Sequence, residues 1–271
     1  MSAGERLAAY GLTLPPGHTL HAVSDRPDLW DPAVAVNVSV WPEFMLNFPV
    51  ANGNWHHLPT DFAPFQLVLL DEAGDVVGGA NSAPLPWAGT DDDLPAGWDD
   101  QLVRTVAALA SRETAGALGA LQITVRPDRQ GHGYSGIILE AMRANARAHG
   151  LPAVIACVRP THKERYPLTP IERYATWTRD DGLPFDPWIR LHVRLGGRIV
   201  RPSPASMTLR APIADWAEWT GLVFPDSGAY LPTGAAAPVT ADVEAGEAVY
   251  LDPNVWIVHD VGRSESSTLG Q

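Results

Sequence analysis

The stretch from residue 117 to residue 158 constrains the fold more than any other. Leu118 to Val125 reads as a strand and Arg126 to Gly133 as a loop. Tyr134 to His149 reads as a helix, stopped by Gly150 with Pro152 just beyond. Glycine tolerates the left-handed turn that ends a helix, and proline cannot continue the hydrogen bonding. Ala153 to Val158 is an apolar run suited to a strand buried on both faces. Strand, loop, helix and strand within roughly 40 residues form a βαβ unit, whose strands are normally parallel.

The flanking sequence supplies more strands and helices. Phe65 to Leu70 and Val76 to Ala80 read as a hairpin across Asp71 to Asp75. Leu102, Val106 and Leu109 repeat at helical spacing and predict a helix over 99–113. Leu29 to Phe48 reads as one or two helices, and Asn52 to Phe62 as a short helix or loop. Asp186-Pro187 opens a helix that Gly196-Gly197 ends, with strands at 198–200 and 206–210. A late hairpin at 238–243 and 248–251 and a last strand at 255–258 follow.

Charge and cysteine usage narrow the function classes. Lys plus Arg number 19 and Asp plus Glu 31, a net charge of −12. That balance argues against a nucleic-acid partner, which needs clustered basic residues. No run approaches the roughly 20 apolar residues of a membrane span, so no membrane partner is expected. Cys157 is the single cysteine, which excludes an internal disulfide or a CxxC metal site. Adjacent His56 and His57 diverge on any regular element, and no metal is expected. A cytoplasmic location is the corresponding expectation.

Gly131-His132-Gly133-Tyr134-Ser135-Gly136 matches GxGxxG literally. Two features argue against a dinucleotide site. Residues 126–130 separate the first glycine from the strand, and the next strand ends in Arg159-Pro160 rather than a carboxylate. The longer string Val125-Arg-Pro-Asp-Arg-Gln130-Gly-His-Gly-Tyr-Ser135 resembles motif A of the GNAT superfamily of acyl-CoA-dependent N-acyltransferases. Gln130 and Gly133 match its signature, and Ser135 stands at its small-residue position. The physics of the string agrees: glycines let backbone amides approach a pyrophosphate, and the helix from Tyr134 points its positive end there.

The resemblance covers roughly residues 65–209. It implies an α/β (α+β) fold, a mixed twisted sheet with helices on both faces and a C-terminal extension. The expected organisation is a GNAT-like domain over 1–210 with its motif core at 117–200, an extension over 211–261 and a disordered tail over 262–271. The implied reaction is acyl transfer from acetyl-CoA, as co-substrate, to the amine of a small molecule by direct attack in a ternary complex. Cys157, in mid-strand, is expected to be buried rather than nucleophilic. A non-catalytic CoA-binding protein and an acyltransferase acting on a protein or peptide amine stay open as alternatives, as does a homodimer.

The site residues follow from the same resemblance. The backbone of Ile123, Thr124 and Val125 pairs with pantetheine, and amides of Gln130, Gly131, His132, Gly133, Tyr134 and Ser135 hold the pyrophosphate. The family's acid is a Tyr four residues before the first residue of a Gly-Phe pair. Aligning that pair with Gly196-Gly197 puts His192 there, with Tyr166 or Tyr174 as alternatives. A histidine with an ordinary pKa near 6.5 is partly protonated at neutral pH. The motif strand has no carboxylate to act as base; water relayed by Gln122 or Thr124 is one candidate, with Glu164, Glu172, His56 and His57 as looser ones. Lys163 and Arg165 are candidates for the 3′-phosphate of CoA. The Pro-rich stretch from Arg159 to Phe185 is assigned to substrate recognition, with Trp41, Trp55 and Trp177 on the acceptor side.

Overall fold

The computed structural model describes residues 2–262. The expected tail therefore lies, apart from Gly262, outside the described residues. In chain order the elements are α1 (Ala3–Ala8), β1 (Thr19–Ala22), α2 (Trp30–Val40), α3 (Pro49–Asn54), β2 (Leu67–Leu70), β3 (Val76–Leu85), α4 (Trp98–Ser111), β4 (Ala117–Val125), α5 (Tyr134–Ala148) and β5 (Ala153–Val158). They continue with α6 (Ile171–Tyr174), α7 (Pro187–Arg194), β6 (Arg198–Pro212), α8 (Ile213–Thr220), β7 (Gly228–Tyr230), β8 (Val239–Asp242) and β9 (Glu247–Asp260).

All nine strands of the described residues join one mixed sheet in the order β1-β2-β3-β4-β5-β9-β8-β7, with β6 on the other edge of β9. Only β4 and β5 run parallel among these pairs; every other pair is antiparallel. The expected βαβ unit is present. Its helix buries Ile138, Leu139, Ala141, Met142, Ala144, Asn145 and Ala146, and the small alanines bring the helix close to the sheet. Among the described residues, no helix is long and apolar enough to cross a membrane.

The β4–β5 pairing is short. Leu118, Gly119 and Ala120 face Val154, Ile155 and Ala156, and no further pairs follow. Beyond Ala120, β4 stays paired with β3 out to Val125, while β5 stays paired with β9 out to Val158. The two parallel strands are thus held from outside and open a gap between their C-terminal halves.

Residues 211–261 contribute strands to this sheet. β9 inserts between β5 and β6, pairing Ala153–Val158 on one side and Arg198–Pro212 on the other. β6 is one strand of 15 residues rather than two, with register shifts between Ile199 and Arg201 and between Ser203 and Met207. It carries Pro202, Pro204 and Pro212, residues an edge strand tolerates because its outward backbone groups need no ladder partner. A core cluster of Phe44, Phe48, Trp216 and Tyr250 ties the segment after α2 to this part of the sheet. Burying each such aromatic stabilises the fold by about 1.5–3 kcal/mol.

Candidate active site

The gap between β4 and β5 opens into a cavity of about 480 Å³. One wall comes from the βαβ unit: Ala120, Leu121, Gln122 and Ile123 of β4, Leu139 of α5, and Ala156, Cys157 and Val158 of β5. Trp188 and His192 of α7 close its flank. The opposite wall is α2 with the following turn and α3, presenting Asn37, Trp41, Met45, Asn52 and Trp55 among others. Trp98, Met207, Arg159, Asp252 and Asn254 complete the lining.

α2 is fastened over the motif strand by polar contacts. The Thr124 hydroxyl donates to Asn37 Oδ1, Asn37 donates to Asn81 Oδ1 at 3.4 Å, and Asn81 donates to Gln66 Oε1 at 3.1 Å. Thr124 is therefore committed to this chain of bonds. Gln122 lines the cavity, and its buried Nε2 has no hydrogen-bond partner in the protein.

The phosphate loop has the backbone a tight anion cradle needs. Gly131 and Gly133 take φ of +81° and +82°, in the left-handed region that side chains other than glycine rarely adopt. A Cβ on either would meet nothing within 4 Å, so the demand for glycine is conformational and the space above both is open. Gly133 is the N-cap of α5. Residues 130–133 are exposed, and Tyr134 and Ser135 half-buried. Gln130 Nε2 donates to the Val125 carbonyl at 3.2 Å, and the Tyr134 hydroxyl meets His18 Nε2 at 3.0 Å.

His192 is held by α7, whose N-cap forms as the sequence predicts: the Asp186 carboxylate accepts from the amides of Trp188 and Ile189 at 2.9 and 3.1 Å. The ring is 2% exposed. Its Nδ1 lies 2.8 Å from His259 Nε2, and its Nε2 has no protein partner. Burial, with the neighbouring His259 adding to it, pushes His192 down to about 3. Burial also takes His259 down to about 4, opposed by the Leu195 carbonyl. This corrects the expectation of a partly protonated residue: at neutral pH the imidazole stands neutral, because a dry site disfavours its charged form. His259 was not singled out in the sequence. Its one signal there is a titratable residue directly after the apolar run Val255–Val258 of β9.

The other expected residues divide. Trp41 and Trp55 line the cavity; Trp177, Tyr166 and Tyr174 do not. These three pack with Phe185 in an aromatic cluster of their own. The Tyr174 hydroxyl donates to Asp186 Oδ2 at 2.9 Å, and burial beside that carboxylate raises its pKa, which suits a structural donor. Of the stretch 159–185, only Arg159 reaches the cavity. Lys163 is 1% exposed and donates to the carbonyls of Tyr166 and Ala236 at 2.9 and 2.6 Å, so it is not a surface residue. Cys157 is buried, and desolvation pushes its thiol up to about 12, leaving almost no thiolate at neutral pH. Among the described residues, no group of three or more His, Cys, Asp or Glu side chains is placed to hold a metal ion.

A sheet whose two parallel strands part over a cavity, beside a glycine-capped helix N-terminus, defines a class that the comparisons identify. An arginine N-acetyltransferase from Aspergillus versicolor, avaD, is 32% identical over 294 residues, spanning 96% of this chain and 99% of that protein. The loading GNATL domain of CurA from Lyngbya majuscula superposes with a TM-score of 0.55 at 17% identity, over 90% of this chain and 98% of that one. The GphF GNAT-like decarboxylase in complex with isobutyryl-CoA also gives 0.55, at 19% identity over 89% and 98%. No protein-family model matches the chain. The chain belongs to the GNAT superfamily and is an acyl-CoA-dependent N-acyltransferase.

Proposed function

We propose that this enzyme transfers an acetyl group from acetyl-CoA to the amine of a small molecule, both substrates being bound together in the cavity between β4 and β5. The observation that carries the reading is the parting of these strands after Ala120 and Ala156 into a half-open, tryptophan-lined space. The backbone of Ile123, Thr124 and Val125 lies along the gap, where pantetheine pairs with an open strand edge. The amides of Gly131 to Ser135, at the positive end of α5, receive the pyrophosphate. The acceptor occupies the side of Trp41 and Trp55. A concave, roofed cavity favours a small molecule over a protein amine, and the acetyl donor follows the named relative.

In this reading the amine attacks the thioester carbonyl directly, since the Cys157 thiol is held protonated. A C–N bond forms, a C–S bond breaks, the nitrogen loses a proton and the thiolate gains one. His192 carries that proton. As the nitrogen bonds to carbon it becomes cationic and more acidic, and the neutral His192 relays its proton to the departing thiolate without resting as an imidazolium, the form that burial disfavours. His192 Nδ1 and His259 Nε2 share one proton across 2.8 Å; with that proton on His192 Nδ1, the unpartnered Nε2 of His192 is left as the acceptor. Gln122 Nε2, unpartnered in the wall, supplies a donor to the polarised carbonyl.

Thermal unfolding and thiol release test the reading. Acetyl-CoA at 100 times its dissociation constant adds about 2.7 kcal/mol of stability, and release of CoA should depend on an added amine. No stabilisation by acetyl-CoA, with no thiol released across an amine panel, would remove it.

A further inference from the structure

The charged groups of the cavity are concentrated at one corner. Arg159 and Asp252 are the Arg, Lys, Asp or Glu residues in its lining among the described residues. They form a close pair, Nε to Oδ1 at 2.9 Å, with Asp252 fully buried. Asp252 has a donor on each oxygen. Oδ1 also accepts the Tyr250 hydroxyl at 2.6 Å, and Oδ2 accepts the Asn254 amide at 3.0 Å in the orientation that satisfies both ends of that side chain.

Arg159 is not saturated. Nε serves Asp252 and Nη2 serves the Gly234 carbonyl at 2.7 Å. Nη1 serves neither of these, and the Tyr250 hydroxyl, itself bonded to Asp252, also interacts with the guanidinium. The guanidinium carbon lies 5.6 Å from the centre of the Trp41 ring, so its plane is fixed from several sides. Lys163 sits close enough to both partners for its charge to interact with them, and it is held only by neutral carbonyls. Asp252 thus feels two cations, Arg159 and Lys163, and the more distant carboxylate of Asp99, and of these groups Arg159 alone has a charged side chain in the lining with donor capacity left over.

We propose that this corner binds a carboxylate of the acceptor through Arg159, so that the acceptor is an amino acid rather than a plain amine. The inference rests on the acyl-transfer reading and names its substrate class. A guanidinium with one side occupied by Asp252 and Gly234 still offers Nη1 to a second carboxylate, and Trp41 covers the guanidinium face against water.

The test uses the full-length enzyme with acetyl-CoA and acceptor pairs that differ only by a carboxylate: L-arginine and agmatine, L-phenylalanine and phenethylamine, L-tryptophan and tryptamine. Thiol release should favour the amino acid by about tenfold or more in kcat/KM in each pair that reacts, as expected for one lost charge-assisted bond. In Arg159→Lys, which keeps the charge but not the fork, that ratio should fall toward one while the acetyl-CoA melting shift persists; a purely structural role would leave the ratio unchanged. Equal or better turnover of the decarboxylated amines overturns the inference. So does stabilisation by acetyl-CoA with no amino acid either turned over or raising the melting temperature further, an outcome that leaves acyl-CoA binding intact. Preferential stabilisation by malonyl-CoA over acetyl-CoA, with no amino-acid preference, also overturns it, by assigning Arg159 to a carboxylate on the acyl chain. Failure of acetyl-CoA itself to stabilise or react removes the acyl-transfer reading instead.

Discussion

The two walls of the cavity are assembled over different distances along the chain. The β4–α5–β5 wall uses residues 120–123, 139 and 156–158, one supersecondary unit. The facing wall draws Asn37, Trp41 and Trp55 from near the N-terminus, Trp98 from α4, Met207 from β6, and Asp252 and Asn254 from β9. The first wall is written in turn and strand chemistry that acts locally. The second combines α2, fastened to β4 and β3 through Asn37, with Met207, Asp252 and Asn254, which reach it because β9 threads between β5 and β6. The contrast suggests that donor binding and acceptor choice are separable by mutation, and the expected effects below test that.

The largest effect is expected on the local wall. Gly133→Asp puts a side chain at φ +82° and a negative charge at the start of α5. The strain costs roughly 1–2 kcal/mol, which the fold absorbs. Acetyl-CoA affinity should fall on the order of 100-fold through lost charge-assisted bonds and repulsion, read by calorimetry. Gly133→Ala carries the strain without the charge and should fall much less. Equal losses in both variants would mean that loop geometry, not the anion site, controls donor binding.

His192→Gln should lower kcat by about 100-fold, the usual scale for a positioned proton carrier, with acetyl-CoA affinity unchanged. Because burial takes the ring far below its ordinary pKa, its stabilising contribution is present above pH 6.5 and is lost as pH falls toward about 3. Acid titration of unfolding should therefore show less loss between these limits in the variant. Trp41→Ala should raise the acceptor KM by roughly tenfold through lost apolar contact and a loosened Arg159, leaving the acetyl-CoA melting shift alone. A change in that shift would show that the two walls are coupled.

The sequence made the local wall legible for a physical reason. Apolar runs, Gly131, Gly133, Gly150 and Pro152 act on their immediate neighbours, and β4, α5 and β5 form within a residue of where these signals place them. The cap by Asp186 was equally local. What the sequence hid was partnership across long separations. His192 was visible as a candidate, but its partner His259 lies 67 residues on, and that pairing in a dry core, not the residue's identity, sets its protonation. Trp41, Trp55 and Trp177 carry the same side chain, and composition alone does not separate two cavity tryptophans from one packed against Tyr166 and Phe185. Residues 211–261 read as an addition because β9's pairing with β5 spans about 100 residues of intervening chain, beyond any period or turn signal.

The smallest effect probes the wall assembled over distance. Asp99, on α4, accepts the Thr208 amide of β6 at 2.9 Å, while its buried Oδ1 has no partner. Burial raises its pKa to about 6, against the bond from Thr208 and with Asp252 adding repulsion. A folded value above the unfolded one means that the folded state binds this proton more tightly. The group's contribution to stability is then full below pH 3.8 and lost as pH rises through about 6. Asp99→Asn keeps an oxygen for Thr208 and removes the charge. It should stabilise the protein by about 1 kcal/mol at pH 7.5, the full shift being discounted because the group is partly solvated. That corresponds to about 2–4 °C in Tm, and the gain should vanish below pH 4. A gain that stays constant from pH 4 to pH 8 would show that shape rather than charge limits the junction of α4 with β6.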